Sequence, residues 1–522
     1  MRRRDKRVII AVLVVVEVLI CAAIMALLGA AQMPQPEVKL FYFATVRAEE
    51  PIEERFAVDG AARLDLSNTR GDVQIVGGDD DEFVVRAVVE AWGQTKREAE
   101  RKARALEVKM RMEGNTLHVD VEDPEQEVYL IVGSYRASQV RFEITTPRQT
   151  EVVARTHNSA IELQGTEGDA ELSSRYGDIS VADVRGSISV ETNNGDVTVL
   201  RAGDEGAEID LRSRYGAIAV ENVVGNIAVE TNNGPVTVEG AGGKGAQLVV
   251  HNRYGAIELE DVMGDITAET NNGHITVLRS GSAEAAIRVS TRYDNIALRE
   301  VTAKELEIEC GNGELTLEQV TVEGDLELDT QYVGIDVDDV RARSLQVKGR
   351  NGDIALHNVE LDGPLDVSTQ YGAVTVRGTE ASAYRIETNN ESITLDGGHG
   401  TLWLHSSYGD ITVRNAYDAA LDLRARNGKV SFEGALAPET DHRVETEYGD
   451  VELRLPSSTA VYLDASTRYG DIECSFDVLV EGGAEQTEQG GNDKSLRGTI
   501  NHGDDELYIE TSNGSITVES VR

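Results

Sequence analysis

Nine tyrosines are spaced as a row of aromatic rings would be. Tyr176, Tyr215, Tyr254, Tyr293, Tyr332 and Tyr371 follow one another at intervals of 39 residues, Tyr408 and Tyr448 continue the series with small slips, and Tyr469 occupies a further corner 21 residues on. Roughly midway between successive tyrosines fall Asn194, Asn233, Asn272, Asn312, Asn351, Asn390 and Asn427. An aromatic stripe of this kind offers a stacking platform for sugar rings. The same residues have a structural use: tyrosine packed over asparagine, with amides bonding from repeat to repeat and to turn backbone. Strand alternation favours the second use. Leu172, Ser174 and Tyr176 share one parity, as do Val190, Thr192 and Asn194, so the corner side chains are expected to face inward as a ladder. A half-exposed corner would keep the ligand stripe open.

Other residue types point away from catalysis. Asp178, Asp196, Asp353, Asp410, Asp450 and Asp471 each follow a Y-G or N-G corner and read first as turn residues. Stacked, they offer at most weak calcium binding, and no cofactor is implied. The acidic run 78–82 lacks the spaced ligands and turn glycine of an EF-hand. The histidines are dispersed, with no H-E-x-x-H, G-x-S-x-G or phosphate loop. A net charge of −42 argues against nucleic acid as a partner, since its phosphates would be repelled. Cys21, Cys310 and Cys474 form no disulfide framework. A β-helix enzyme would gather its carboxylates where the repeat breaks down. Here those places are Tyr293-Asp294, Cys310, 333–334, 390–391 and 481–495.

The elements that carry these residues follow from the period. In 207–225, Ile209, Leu211 and Ser213 alternate with polar residues, a Tyr215-Gly216 corner follows, and Ile218 and Val220 resume the alternation. Each unit of 19–20 residues gives two short strands, and neither buries its apolar face alone. The fold class is therefore all-β, a single-stranded parallel β-solenoid of about 18 rungs. At ~4.8 Å per rung that makes a rod of roughly 85 Å. The doubled period has an electrostatic reason. The third position before each corner reads Ser173, Glu191, Arg212, Glu230, His251, Glu269, Ser290, Glu309, Asp329, Lys348. Identical charges ~4 Å apart would repel by ~1–4 kcal/mol, and this alternation avoids it except at Glu309 and Asp329.

The ends differ from the middle. Residues 1–7 are a basic tail and 8–31 an apolar run long enough to span a membrane as a signal anchor, with Glu17 within it. The basic flank places the bulk of the chain outside the cytoplasm. A proline-bearing tether is expected over 32–55, and an α+β cap over 56–150 that contains a helix at 94–106. The solenoid proper is expected over 151–480, an exposed loop over 481–495, and closing rungs over 496–522.

The lead-in LDLSNTRGDVQIVGG, the helix QTKREAERKARAL and the reiterated T-N-N-G-D-V-T-V and R-Y-G-D-I-S-V segments resemble the bacterial β-strand-repeat proteins labelled "putative adhesin", over roughly residues 55–522. The resemblance implies a β-solenoid of the bacterial cell envelope and supplies no catalytic or binding residues. Three readings remain. One is a membrane-anchored, monomeric binding rod whose partner is an envelope polysaccharide or surface protein. The second is a structural or regulatory envelope scaffold, and the third a carbohydrate-active β-helix enzyme.

Overall fold

The computed structural model describes residues 41–122, 132–134, 136–332, 334–480 and 493–522. The 8–31 span with Glu17 and Cys21, the start of the tether and most of the 481–495 loop lie outside the described residues. Among the described residues no helix is long and apolar enough to cross a membrane.

The chain coils as a parallel β-solenoid. On its first face Ile188–Thr192 lies between the strands of the coils before and after, with Ile188 facing Ala170 and Ile209, and Val190 facing Leu172 and Leu211. On its second face Ile179, Val197, Ile218 and Val236 stack in register. Every second residue of both faces is buried, so the stacked coils share one continuous core. The charge columns expected from the sequence are in register, Glu191 opposite Arg212 and Glu230 opposite His251. Arg212 lies 3.7 Å from Glu230 and His251 3.3 Å from Glu269. Glu309 and Asp329 do stack as neighbours, the one like-charged pair in the stretch.

A third, shorter parallel ladder was not foreseen. Ala303 pairs with Val322, and Val340 with Val320 and Val359. The chain reaches it through a residue seven positions past each tyrosine or asparagine, held in the left-handed region: Asp183 (φ 55°), Arg201 (48°), Asn222 (54°), Asp261 (53°), Glu300 (54°) and Gln319 (56°). Non-glycine residues adopt this conformation at a cost of about 1 kcal/mol. Here the fold offsets it with bonds between rungs. Arg201 donates to both oxygens of Asp183 at 2.8 and 2.9 Å, and the Asp183 N–H donates to the Leu200 carbonyl at 3.0 Å.

The stack begins earlier than the cap boundary suggested. Ala62–Asn68 and Val73–Gly78 already form a rung beneath Thr150–Thr156 and Ile161–Gln164. Below that rung the pairing changes from parallel to antiparallel. Thr116–Glu122 and Gln139–Pro147 add in parallel, then Glu107–Glu113, Glu82–Gly93 and Val46–Ala57 add antiparallel. The outermost strand carries Arg47, Glu49, Glu50, Pro51, Glu53 and Glu54, a composition that resists further strand addition. Helix α1 (Lys96–Ala105) packs on Glu82–Gly93 and Val46–Ala57 through Ala99 and Ala103. A reciprocal cap starts it: the Glu98 N–H donates to Thr95 at 3.3 Å, and the Gln94 N–H donates to the Glu98 carboxylate at 2.9 Å.

At the far end spatial order departs from sequence order. Glu506–Thr511 and Ile516–Val521 stack on His442–Thr446 and Val451–Pro456. Val461–Thr467 and Ile472–Cys474 then stack on them. The C-terminal coil is thus inserted beneath the last rung instead of closing the stack, and antiparallel Lys494–Ile500 covers that last rung.

His442 is buried in this end, 1% exposed, accepting a bond from the Leu421 N–H through Nδ1 at 3.4 Å, while its Nε2 has no partner. Burial pushes its pKa below the ordinary 6.5. Below that pH the unfolded chain takes up a proton that the folded chain does not, so stability is lost as pH falls. Thermal unfolding between pH 7.5 and 5.5 is expected to show this loss, and His442→Leu should reduce the slope.

Candidate functional site

The corners of the first and second faces decide where the tyrosines point. The last strand residue before each corner is buried and carries a hydroxyl or amide: Ser174, Thr192, Ser213, Thr231, Asn252, Thr270, Thr291. Its side chain works in two directions. Ser174 Oγ donates to the Ser159 carbonyl of the coil below at 3.0 Å and accepts from the Gly177 N–H at 2.9 Å. Thr446 donates to the Gly428 carbonyl at 2.9 Å and accepts from the Gly449 N–H at 3.2 Å. The ladder follows spatial order even where the chain does not, Thr511 bonding to Gly449 and Thr467 to Gly514. This is the ladder that joins the rungs. Thr446→Val keeps the shape but orphans both partners, and should lower unfolding stability by about 2 kcal/mol in a denaturant titration.

Because both Arg175 and Tyr176 lie outside between Ser174 and Gly177, the inward parity slips by one residue at the corner. The expected inward ladder of tyrosine and asparagine is therefore corrected. Tyr176, Tyr215, Tyr254, Tyr293, Tyr332, Tyr371, Tyr408, Tyr448 and Tyr469 are 47 to 62% exposed. Asn194, Asn233, Asn272, Asn312, Asn351 and Asn390 are exposed too, and Asn427 is half-buried, its amide donating to the Ser407 carbonyl at 3.3 Å. In register, the corners form one edge of the rod with tyrosines recurring every second rung, about 9.6 Å apart.

In the regular coils the glycine after the tyrosine or asparagine faces in, and its role differs from the one glycine usually has at a turn. Gly177, Gly195, Gly216 and Gly234 do not adopt positive φ. A methyl at Gly234 would overlap the Gly216 carbonyl of the coil below, as one at Gly216 would overlap that of Gly195. The glycines are required by close approach between coils. The corner aspartates are turn residues, as expected: Asp178 accepts from the Asp196 N–H at 2.8 Å and Asp196 from the Ala217 N–H at 2.7 Å.

Three of the exposed rings carry a cation. The guanidinium carbons of Arg175, Arg214 and Arg253 lie 5.3, 5.3 and 5.1 Å from the ring centres of Tyr176, Tyr215 and Tyr254. Each contact is worth about 0.5–1 kcal/mol at an exposed site and holds the ring still. Between Tyr293 and Tyr332, where the sequence repeat slips, the edge opens into a depression of about 580 Å³ lined by Asn271, Arg292, Tyr293, Asn312 and Tyr332.

The fold and its edge can now be set beside known proteins. The family model described as Toastrack DUF4097 matches residues 61–277, 243–377 and 366–519. The chain belongs to the Toastrack family. No curated protein matches it. Among solved structures it is similar to a "putative cell adhesion protein" from Clostridium sporogenes, at 9% identity and a TM-score of 0.17, over 90% of this chain and 100% of the other. It is also similar to a "putative lipid binding protein" from Parabacteroides distasonis, at 11% identity and a TM-score of 0.17, over 72% of this chain and 96% of the other. A "putative adhesin" from Bacteroides fragilis matches at 12% identity and a TM-score of 0.14, over 70% of this chain and 96% of the other.

The Toastrack coils hold aromatic contacts that the sequence period did not reveal, His399 stacked on Tyr417 at 5.1 Å and a cluster around Trp403. On the outer side of the first face Trp403 lies under the Arg385 guanidinium, 3.9 Å from its ring centre, and 3.5 Å from the His405 ring. His405 in turn meets Asp422 at 3.3 Å. These residues break the repeat, and their only signal was the departure of Trp403 from a column otherwise charged at Asp366, Arg385, Asp422 and Arg443. Elsewhere in the Toastrack chain Cys310 takes a place in the hydroxyl ladder, with Sγ 2.9 Å from the Gly313 carbonyl. Cys310 and Cys474 are both free. Among the described residues no group of three or more histidine, cysteine, aspartate or glutamate side chains is placed to hold a metal ion.

Proposed function

We propose that this protein is a membrane-anchored, non-enzymatic binding module of the bacterial cell surface, with the tyrosine edge as its contact surface and an extended polymer as its ligand. One observation carries the reading: nine tyrosines, roughly half exposed, recur at the same corner of an in-register stack. A fold that needed these rings only for packing would bury them, and here the buried ladder is made by other residues. The corner carboxylates are committed to backbone bonds between coils, which supports binding over hydrolysis. The apolar run at 8–31 and its basic flank support an anchor that holds the rod outside the cytoplasm. Weak contacts repeated along one edge add by avidity, so a polymer suits the edge better than a small molecule.

The test is co-sedimentation of the full-length protein in detergent micelles with insoluble cell-wall glycans and a panel of soluble polysaccharides, with product analysis of the supernatant. Binding that strengthens with polymer length and releases no product supports the reading. Release of reducing or unsaturated ends would overturn its non-enzymatic part. Failure to bind any polymer would overturn the whole.

A further inference from the structure

We infer that the stretch of the edge between Arg214 and Tyr293 takes a linear polysaccharide bearing carboxylates, read once every two rungs. The inference rests on the tyrosine edge being a binding surface and names the chemistry of its ligand.

The charge around this stretch differs from that of the rest of the rod. The chain as a whole is strongly acidic, and most of its arginines are engaged with carboxylates: Arg201 with Asp183, Arg279 with Asp261, Arg343 with Asp325. Arg214, Arg253 and Arg292 are different. Among the described residues none of the three has a carboxylate within ion-pair distance. Arg214 and Arg253 lie over their own tyrosines, leaving guanidinium N–H donors turned to solvent.

One neighbouring column loses its acids over the same rungs, and the other has them paired. Two positions past the corner residue, Asp178 and Asp196 stand in the earlier coils. From Tyr215 onward that column reads Ala217, Pro235, Ala256, His274 and Asn295, before Glu314 restores the acid. On the strand side Glu230 and Glu269 are met by Arg212 and His251. The like-charged Glu309 and Asp329 stand at the far end of the stretch, where they line the depression together with Arg292 and Tyr293. Three arginines without a carboxylate partner, at a spacing of about 9.6 Å, form a row complementary to a polyanion, with Asp294 as the acid at its far end. The planar guanidinium grips a carboxylate through two parallel bonds. The exposed ring beside it offers an apolar face to the sugar that carries the carboxylate.

The experiment uses two polymers of one backbone, polygalacturonate and its fully methyl-esterified form, with the full-length protein in detergent. The acid form is expected to bind about 10- to 100-fold more tightly than the ester at low ionic strength. The gap should close as salt is raised. The triple variant R214Q/R253Q/R292Q, checked by its melting curve, should bind both forms as wild type binds the ester. If wild type binds acid and ester alike, or the gap survives in the triple variant, the inference is overturned while the tyrosine reading stands. If neither polymer binds, and replacing the tyrosines changes nothing for any polymer, both fall together.

Discussion

Replacing Gly234 by alanine is expected to destabilise the stack by about 3 kcal/mol and to open it locally. The glycine does not adopt positive φ, so backbone strain is not the cause. The cause is contact, because the new methyl would overlap the Gly216 carbonyl, and Gly255 stacks in the same way on Gly234 from the next coil. Asp294 and Glu391 hold the same corner position elsewhere, in rungs where the repeat slips, so a corner can be opened to admit a side chain. In the regular stretch, with glycine at the corners of both adjoining coils, opening one corner must disturb its neighbours, since each coil of a solenoid is held by the next. Hydrogen exchange of Gly234→Ala should show lost protection in the strands from Ile209 to Thr270, with the cap unchanged. Protection equal to wild type throughout would refute the packing role.

The second large effect concerns binding. A variant with Tyr215, Tyr254 and Tyr293 all changed to serine is expected to lose at least about 100-fold in affinity for whichever polymer the protein binds. Its stability should change by no more than about 1 kcal/mol per ring, the worth of the stacked arginine. The two readings of these residues separate here. Were the rings a structural ladder, the triple variant would melt far below wild type and binding would fail only as folding failed. The half-exposed rings predict a folded protein that does not bind. Calorimetric melting and polymer co-sedimentation on the same preparation distinguish the two.

Much of this was legible in the residues alone, because a solenoid repeats its physics. Alternating apolar residues at Ile209, Leu211, Ile218 and Val220 required two half-buried strands, and the 39-residue period required that successive coils meet in register. The alternation of Glu191, Arg212, Glu230 and His251 made sense only if those residues were stacked, and they are. Helix α1 was readable from Ala99, Ala103 and Leu106, since one apolar face against a charged one is a local property.

What the sequence could not fix was geometry at the corners. Parity counting carries a side chain's direction along a strand, but a bend resets it, and Arg175 and Tyr176 lie within the bend. The hydroxyl column of Ser174, Thr192, Ser213 and Thr231 was visible as a repeat, yet small polar residues two places before a turn have no obvious use until the carbonyl they reach is placed beneath them. The left-handed residues at Asp183, Arg201 and Asn222 share a conformation without sharing chemistry, so no residue type announced them. The inserted C-terminal coil leaves only one trace in the period: Tyr448 and Tyr469 are successive corners with no asparagine between them, and Asn513 of the inserted coil fills that place.

By itself, then, the sequence determined a parallel stack of coils with a capped start, because hydrophobic alternation and charge repulsion act between neighbours in any such stack. Only the tertiary structure decided which corner side chains face water. At each corner the bend leaves two residues outside between the buried hydroxyl and the next inward position, and the tyrosine is the second of them; Tyr293 is 55% exposed although Asp294 and not glycine follows it.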